Sequence, residues 1–398
     1  MSEMQQSPVP LSLAERDRRY ALVAQRMAEA GIDGLILPAS TARWEQTMAD
    51  SRYLTAIGGF GTETLTLFSP RHGATAYVFN RANYWRRAQD WVSDVRDGRN
   101  RWAENVRERL GEWGFSKGRI GISGLGPLTR SPDGIVPHRM VERIVKDFPA
   151  AEIVDATQLM NRVRAVKSEE EIAVMARATA IAEAMAARVA TMAPGATERT
   201  LYAAMIETLL VEGGELPAMP LLGTGPKVDH GSFVPGTRRL EAGDLVVGEI
   251  EGRYAGYSGQ VVRPAVLGRA AGEYRAVFDI ARRAFDDVLA ALAVGASLKH
   301  VVDTFAASVA RHGKGECQTL YPLMHARGLG DEVPVVLSAE DLADSGDIRL
   351  ERGMVFVLKP RVRRGEVGVQ VGDMVVVGDG GGRRLGRAPL DLIEVPWS

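Results

Sequence analysis

Residues 243–257 read GDLVVGEIEGRYAGY, a tight turn followed by an apolar run that contains two acids. The run predicts a strand. Glu249 and Glu251 lie two positions apart on it, so both side chains point to the same face of the sheet. Burying two carboxylates in a sheet is costly unless they are paired or hydrogen-bonded. The rest of the chain is therefore expected to supply partners for Glu249 and Glu251.

Length and composition narrow the class of protein. A chain of 398 residues is too long to fold around one hydrophobic core, which predicts two domains. A formal net charge of -1 gives no basic surface for nucleic acid or an anionic membrane. The sequence contains no apolar run of about 18 residues that would span a bilayer, and its start lacks the apolar segment of a signal peptide. With Cys317 as its single cysteine it forms no internal disulfide, so we expect a cytoplasmic protein.

The first half of the chain predicts an α/β domain. A capping-box pattern from Ser12 to Glu15 opens a helix that Gly31 ends. Strand–helix alternation follows, which is typical of α/β folds. Residues 153–166 are interpreted as a connector to the next unit. The other predicted elements are strands at 32–37, 64–68, 74–79 and 119–122 and a helix near 100–113.

The second half contains an internal repeat. An alanine-rich helix and a shorter helix are predicted after the Ser168–Glu171 capping box, and a similar pair after residue 271. A loop with a histidine follows each pair, and these histidines are His230 and His325. A period of about 100 residues indicates a duplicated helix–helix–sheet unit. Two such halves would form one sheet with a cleft at their pseudo-twofold axis, where ligands commonly bind. The predicted helices cover about 168–192, 197–211, 271–292 and 297–311.

Several motifs occur in the order and spacing of a known family. They are SRYLT (51–55), RAVKSEEEI (164–172), GDLV (243–246), YAGY (254–257), Arg263, HARGLG (325–330) and GMVFV (353–357). With these motifs the chain resembles the pita-bread fold proteins, which include creatinase, prolidase, aminopeptidase P and methionine aminopeptidase. The resemblance implies an α/β (α+β) fold class. A creatinase-like N-terminal α/β domain would cover residues 1–160, and a pita-bread domain with a pseudo-twofold repeat would cover residues 161–398.

In the metallopeptidases of this family, two Asp, one His and two Glu hold two divalent cations. The resemblance puts the two Asp on Glu249 and Gln260, the His on His325, and the two Glu on Lys359 and Gly372. The family's four carboxylates carry four negative charges, whereas one acid, an amide, an ammonium and a glycine sum to zero. Hard divalent cations require anionic oxygen ligands, so we predict no dinuclear metal centre. We hypothesise that Lys359 fills the vacated space and pairs with Glu249.

Creatinase is a metal-free member that hydrolyses a C–N bond with a histidine as acid and base, and that histidine matches His230. Neutral histidine takes a proton from water near pH 7 and returns it to a leaving nitrogen. The two glutamates that grip the guanidinium of creatine would fall on Val262 and Lys359, so a lysine stands where a cationic group would bind. The resemblance therefore implies a metal-independent hydrolase without a cofactor, acting on a small carboxylate-bearing substrate.

The resemblance also implies roles for other residues. Glu249 and His325 join His230 as catalytic residues, and Glu249 or Glu251 orients the histidine or a water molecule. Creatinase-like dimers bring N-domain residues near the cleft of the other subunit, which predicts a homodimer in which Arg52 contributes to the partner's cleft. The predicted substrate-binding residues are Glu251, Gln260, Arg263, Lys359 and Arg52.

Other interpretations stay open. Glu249 and Glu251 form purely structural ion pairs if basic residues of the later strands face them. If the replacement of the family's carboxylates has removed catalytic activity, the protein binds a ligand without turnover. It is a metallopeptidase if a single metal ion binds Glu249 and His325, although two ligands are few for tight binding. A lyase reaction and the identity of the substrate are also left open.

Overall fold

A computed structural model describes residues 9–41, 46–129, 131–228, 234–336 and 348–397, and the chain divides into two units. The first unit contains the residues up to Ala165 together with Leu329–Asp331. The second contains Val166–Gly328 and the residues from Glu332 onward. No helix among the described residues is long and apolar enough to cross a membrane.

The first unit alternates helices and strands around one sheet. Its elements are α1 Leu13–Ala30, β1 Gly34–Pro38, a 3-10 helix Gln46–Met48, α2 Ala49–Thr55, β2 Thr64–Ser69, β3 Gly73–Val78, α3 Ala82–Ala88, β4 Asp94–Asp97, α4 Trp102–Glu112, β5 Gly118–Ile122, α5 His138–Asp147, β6 Ala151–Asp155 and α6 Thr157–Ala165. Among the described residues these strands form a mixed sheet in the order β4-β3-β2-β1-β5-β6. Strand β1 runs antiparallel to β2 and parallel to β5.

One sequence interpretation in this unit is wrong. Residues 153–165 do not form a connector, because nearly all of them belong to strand β6 and helix α6. Strand β6 lies at the edge of the sheet and is partly exposed, so its apolar pattern is weak. Asp155 then accepts a hydrogen bond from the Thr157 N–H at 2.9 Å and another from the Thr157 hydroxyl. Such a side-chain acceptor favours a helix start directly after the strand.

Arg19 is a buried cation that anchors helix α1. Ser12 caps this helix by accepting from the Glu15 N–H at 3.1 Å, as the capping pattern predicts. Arg19 Nε donates to Glu15 Oε1 at 2.7 Å and its Nη1 donates to the Tyr53 carbonyl at 3.0 Å, while the guanidinium lies over the Tyr53 ring. Because both charged side chains are buried, Glu15 and Arg19 depend on each other.

Replacing Glu15 by glutamine should lower the free energy of unfolding by about 2 kcal/mol, because charge-assisted hydrogen bonds to a buried guanidinium are lost. Burial alone would raise the pKa of Glu15, but hydrogen bonds and charges from Arg18 and Arg19 outweigh it and hold the pKa below its ordinary value of 4.5. The carboxylate therefore stabilises the fold above about pH 4.5, and this stabilisation is lost as the pH falls through the lowered folded-state pKa. Urea unfolding at neutral and acid pH measures both effects.

Glu29→Gln is the matched control, since Glu29 lies on the same helix and pairs with Arg26 in solvent. Exposed ion pairs contribute little, so this variant should unfold like the wild type. An effect of Glu15→Gln no larger than that of Glu29→Gln, or one that does not shrink in acid, would contradict a buried pair at Arg19.

The second unit carries the duplicated helices. Its elements are α7 Glu169–Ala187, a 3-10 helix Arg188–Thr191, α8 Glu198–Val211, β7 Leu221–Gly225, β8 Leu245–Tyr254, β9 Tyr257–Val262, β10 Ala265–Leu267, α9 Gly272–Ala291, α10 Leu298–His312, β11 Gln318–Leu320, β12 Met324–Arg327, β13 Asp331–Val336, β14 Val355–Leu358, β15 Arg361–Arg364, β16 Val367–Gln370, β17 Asp373–Val376, β18 Arg383–Arg384 and β19 Ile393–Val395. The helix pairs α7–α8 and α9–α10 confirm the predicted repeat. Ser168 and Glu171 form the predicted capping box, although α7 ends earlier than predicted and continues as a 3-10 helix.

The strands of this unit form separate sheets, not the single sheet that the repeat predicts. In the described residues, one sheet has the order β19-β10-β8-β7 with β9 paired to β8, a second has the order β13-β12-β14-β17-β18, and β11-β15-β16 form a third. One bridge joins the first two sheets. The Val262 N–H donates to the Gly372 carbonyl at 3.0 Å, and the Gly372 N–H donates to the Val262 carbonyl at 3.1 Å. The two halves therefore meet at the Val262–Gly372 bridge, and the Ser258 N–H adds a link by donating to the Gly328 carbonyl at 3.0 Å.

The two faces of strand β8 have different surroundings. Val246 and Ile250 pack into a hydrophobic cluster with residues of α7 and α8. Because strand residues alternate between faces, Leu245, Glu249 and Glu251 lie on the opposite face, which we call the inner face of β8.

Candidate active site

Glu249 and Glu251 are buried on the inner face of β8, as the strand pattern predicts. Strand β9 pairs with β8 so that Gln260 stands opposite Glu251 and Val262 stands opposite Glu249. Residues directly opposite each other in an antiparallel pair share a face of the sheet. Glu249 and Glu251 therefore form one patch together with Gln260 and Val262.

Glu249 is held by an ammonium and an amide. Lys359 Nζ donates to Glu249 Oε2 at 2.7 Å, and Gln260 Nε2 donates to the same oxygen at 2.8 Å. Lys359 is 2% exposed and Glu249 is 5% exposed. The hypothesised pairing of Lys359 with Glu249 is therefore confirmed as a buried ion pair. Loss of either member would leave a desolvated charge, so the two residues are interdependent.

Gly372 leaves the space that the stem of Lys359 occupies. A Cβ atom added to Gly372 would lie 2.8 Å from Lys359 Cβ and 2.9 Å from the Leu358 carbonyl oxygen. Real Cβ atoms do not approach other atoms so closely, because packed interiors leave no room for such overlap. A carboxylate side chain therefore does not fit at Gly372 while Lys359 keeps its position.

The partner of Glu251 is Arg327, a residue that the sequence analysis did not select. The Arg327 guanidinium forms a buried ion pair with Glu251, whose other oxygen accepts from Ser258 Oγ at 3.1 Å. Glu251 and Arg327 are 76 positions apart, so no local pattern links them. One signal was available: on a strand, Arg327 shares a face with His325, which was selected.

His325 lies on strand β12, not in the loop that the repeat predicts. Apolar and polar residues alternate along this strand, and Met324 and Ala326 belong to the core cluster around α9 and α10. His325 and Arg327 therefore point to the other face. His325 is buried, and its Nδ1 lies 3.4 Å from the Ala326 carbonyl oxygen. Its catalytic role stays a prediction.

Arg263 joins a different cluster of charges. Its Nη2 donates to Asp373 Oδ2 at 2.9 Å and to Glu183 Oε1 at 3.1 Å, and its Nη1 donates to the Gly372 carbonyl. Asp373 also accepts from Arg384 Nη2 at 2.6 Å. These contacts connect helix α7 and strand β17 to the C-terminal segment. They are the contacts expected if the role of Arg263 is purely structural. A substrate role for Arg263 stays a prediction.

Arg52 lies on helix α2 of the first unit, where it packs against Gly58. An arginine that reaches a partner's cleft needs an exposed guanidinium, whereas Arg52 is 6% exposed in this chain. Its proposed contribution to a partner subunit stays a prediction. His230, the predicted acid and base, lies outside the described residues.

The residues that the resemblance assigns to the family's metal positions do not fit a pair of divalent cations. Glu249 is the only carboxylate among Glu249, Gln260, Lys359 and Gly372, and one of its oxygens already binds an ammonium and an amide. A charged lysine has no lone pair to offer, and glycine has no side chain. Across the described ranges, no group of three or more His, Cys, Asp or Glu side chains is arranged to hold a metal ion.

Comparison with known sequences gives matches to both units. The profile of metallopeptidase family M24 matches residues 173–379, and that of the creatinase/prolidase N-terminal domain matches residues 19–166. A probable dipeptidase PepE of Mycobacterium tuberculosis is 27% identical over 390 residues, which cover 96% of this chain and 97% of that protein. An Xaa-Pro dipeptidase of Pyrococcus horikoshii is 26% identical over 285 residues, which cover 70% of this chain and 77% of that protein.

Solved structures share the fold. An X-Pro aminopeptidase from Thermotoga maritima has a TM-score of 0.76 at 21% identity and covers 94% of this chain and 99% of its own. Dipeptidase PepE from Mycobacterium ulcerans has a TM-score of 0.72 at 23% identity and covers 97% of this chain and 99% of its own. These likenesses confirm the predicted α/β fold class, with a creatinase-like N-terminal domain and a pita-bread C-terminal domain.

Proposed function

Because the chain belongs to metallopeptidase family M24, a family of hydrolases, we propose that it hydrolyses a C–N bond without a bound metal ion. The observation that supports this proposal is the buried ion pair of Lys359 and Glu249. If the resemblance assigns both residues correctly to metal-ligand positions, a positive charge stands where the family binds a cation. Gln260 and Gly372 at two other ligand positions support the same conclusion. The names of the relatives, dipeptidase and Xaa-Pro dipeptidase, favour an amide as the scissile bond.

In this proposal His230 is the acid and the base. It takes a proton from water as the water oxygen attacks the carbonyl carbon, and it returns that proton to the nitrogen as the C–N bond breaks. The products are a carboxylic acid and an amine, and the histidine ends in its starting state. Glu249 and His325 are the further catalytic residues of the proposal.

The proposed substrate is small and carries a carboxylate, because Lys359 replaces an acid that would bind a cationic group. Glu251, Gln260, Arg263 and Lys359 are its proposed contacts. We further propose a cytoplasmic homodimer in which Arg52 contributes to the partner's cleft, with the domain boundary near residue 160.

Amine release from a panel of substrates tests the proposal. The panel contains N-acyl amino acids, Xaa-Pro dipeptides and creatine, and each is assayed once with EDTA and once with added Mn²⁺. We expect turnover of a carboxylate-bearing amide that EDTA leaves unchanged. Turnover that requires Mn²⁺ would show the chain to be a metallopeptidase and would refute metal independence.

A second candidate function is ligand binding without turnover. It is favoured by the replacement of three of the family's four metal-binding carboxylates by Gln260, Lys359 and Gly372, which removes the charges that hold the catalytic ions. Stabilisation of the protein by a panel compound, seen as a rise in Tm without amine release, would establish this function.

A further inference from the structure

Helix α8 has apolar side chains on two of its faces. Leu201, Met205 and Leu209 are buried and pack into the hydrophobic cluster that includes residues of α7 and β8. Leu210 and Val211 lie elsewhere on the helix and are 44% and 80% exposed. A surface helix normally presents polar residues to solvent. A second apolar face therefore indicates a contact with another surface.

The second face of α8 contains a stripe that begins with a charge. Ala203, Ile206 and Leu210 follow Arg199 at steps of four, three and four residues, so the four side chains lie along one side of the helix. Arg199, Ala203 and Leu210 are exposed, and Ile206 is half-buried. We call these four residues the α8 stripe. Alternating steps of three and four are typical of the seam along which two helices pack.

Two opposite charges stand at equal distances from Ala203 in the middle of this face. Arg199 lies four residues before Ala203 and Glu207 four residues after it, which is about 6 Å along the axis in each direction. Both are exposed, and within the described part of this chain neither has an ion-pair partner. Arg199 Nε donates to the Pro235 carbonyl at 3.3 Å, which leaves its Nη groups for an outside carboxylate.

An antiparallel pair of α8 helices matches these positions. A twofold axis at Ala203 brings Arg199 of each copy level with Glu207 of its partner, so every ion pair occurs twice. A parallel pair would instead place like charges opposite each other. The small side chain of Ala203 lets the two helix axes approach to about 8 Å. Ile206 and Leu210 would then lose their contact with water.

We propose that the α8 stripe is a self-association surface on which a second copy of this chain packs its own α8 in the antiparallel direction. The charge order selects a second copy, because Arg199 and Glu207 of the same sequence complement each other across the axis. The inference goes beyond the proposed hydrolysis and gives the proposed homodimer a surface. This surface belongs to the second unit, and the contribution of Arg52 from the first unit is a separate prediction.

Sedimentation equilibrium of the full chain at physiological ionic strength tests the surface. The wild type should be a dimer. Arg199→Glu and Glu207→Arg should each weaken the dimer by about 10- to 100-fold, because each places like charges together twice across the axis. The double variant, Arg199→Glu with Glu207→Arg, exchanges the charges and should dimerise like the wild type.

A mixture of the two single variants gives the sharpest result. It brings two acids of one chain against two arginines of the other, so mixed dimers should form although each variant alone dimerises poorly. A fluorescent label on one variant makes the mixed dimer visible in sedimentation velocity. Mixed dimers are expected only if position 199 of one copy meets position 207 of the other.

Helix α5 supplies the matched controls. Arg139 and Glu142 are exposed on it, and Arg139 is its second residue, as Arg199 is of α8. Arg139→Glu and Glu142→Arg should therefore leave the dimer unchanged. Leu210→Glu should weaken the dimer, whereas Val145→Glu, at a residue of α5 that is 49% exposed, should not. Urea unfolding verifies that each variant is folded.

The outcomes separate this inference from the other proposals. A wild type that is monomeric at every concentration overturns both the surface and the homodimer. A dimer that Arg199→Glu, Glu207→Arg and Leu210→Glu leave intact, or that the α5 variants weaken equally, overturns the surface and keeps the homodimer. Failure of the single variants to form mixed dimers overturns the antiparallel pairing. None of these measurements involves turnover, so the proposed hydrolysis is tested independently by amine release.

Discussion

Replacing Lys359 by methionine should lower the free energy of unfolding by about 3–5 kcal/mol, the cost of breaking a buried ion pair from one side. Methionine keeps an unbranched apolar stem that is one atom shorter, but it removes the ammonium that lies 2.7 Å from Glu249 Oε2. Glu249 would stay buried with its charge no longer balanced. Urea unfolding, followed by circular dichroism, measures the change.

Two further variants distinguish the loss of this buried ion pair from the general effect of removing a lysine. Lys299→Met removes an exposed lysine that pairs with Asp303 in solvent, so it should unfold like the wild type. The double variant Lys359→Met, Glu249→Leu removes both charges and should recover most of the lost stability. A Lys359→Met variant as stable as Lys299→Met would contradict the buried pair.

Replacing His230 by alanine should reduce turnover by about 100-fold or more, the usual contribution of a general acid and base. The expected loss is in kcat, because the proton transfers occur in the transition state. The folded state should be unaffected, so the unfolding curve should match that of the wild type. Amine release from whichever panel substrate the wild type hydrolyses gives the measurement.

His300→Ala controls for the loss of a histidine, since His300 is exposed on helix α10. This variant should keep wild-type kcat. Equal kcat for His230→Ala and His300→Ala would refute His230 as acid and base. Restored but slower turnover of His230→Ala in imidazole buffer would support the role.

Local patterns predicted much of the architecture. Strands β1, β2, β3 and β5 are apolar and buried, and the capping residues Ser12 and Ser168 marked their helices. Strand β6 was missed because it is a partly exposed edge strand. Strand β12 was missed because it has only four residues, two of which, His325 and Arg327, are polar, so its apolar pattern is too short to recognise.

The candidate site was predicted in part, for a physical reason. The resemblance to the family assigned Lys359 and Glu249 to neighbouring positions. Because their charges are opposite, an ion pair between them was expected, and the structure contains it. Arg327 was missed because only the packing of two different sheets brings it to Glu251.

The metal content of the purified protein tests the central claim most directly. The chain is incubated with excess Mn²⁺, separated from free ions and analysed by mass spectrometry for Mn, Co, Zn and Fe. With Lys359 paired to Glu249 and no side chain at Gly372, we expect far less than one metal ion per chain. Two stoichiometric ions per chain would contradict the account.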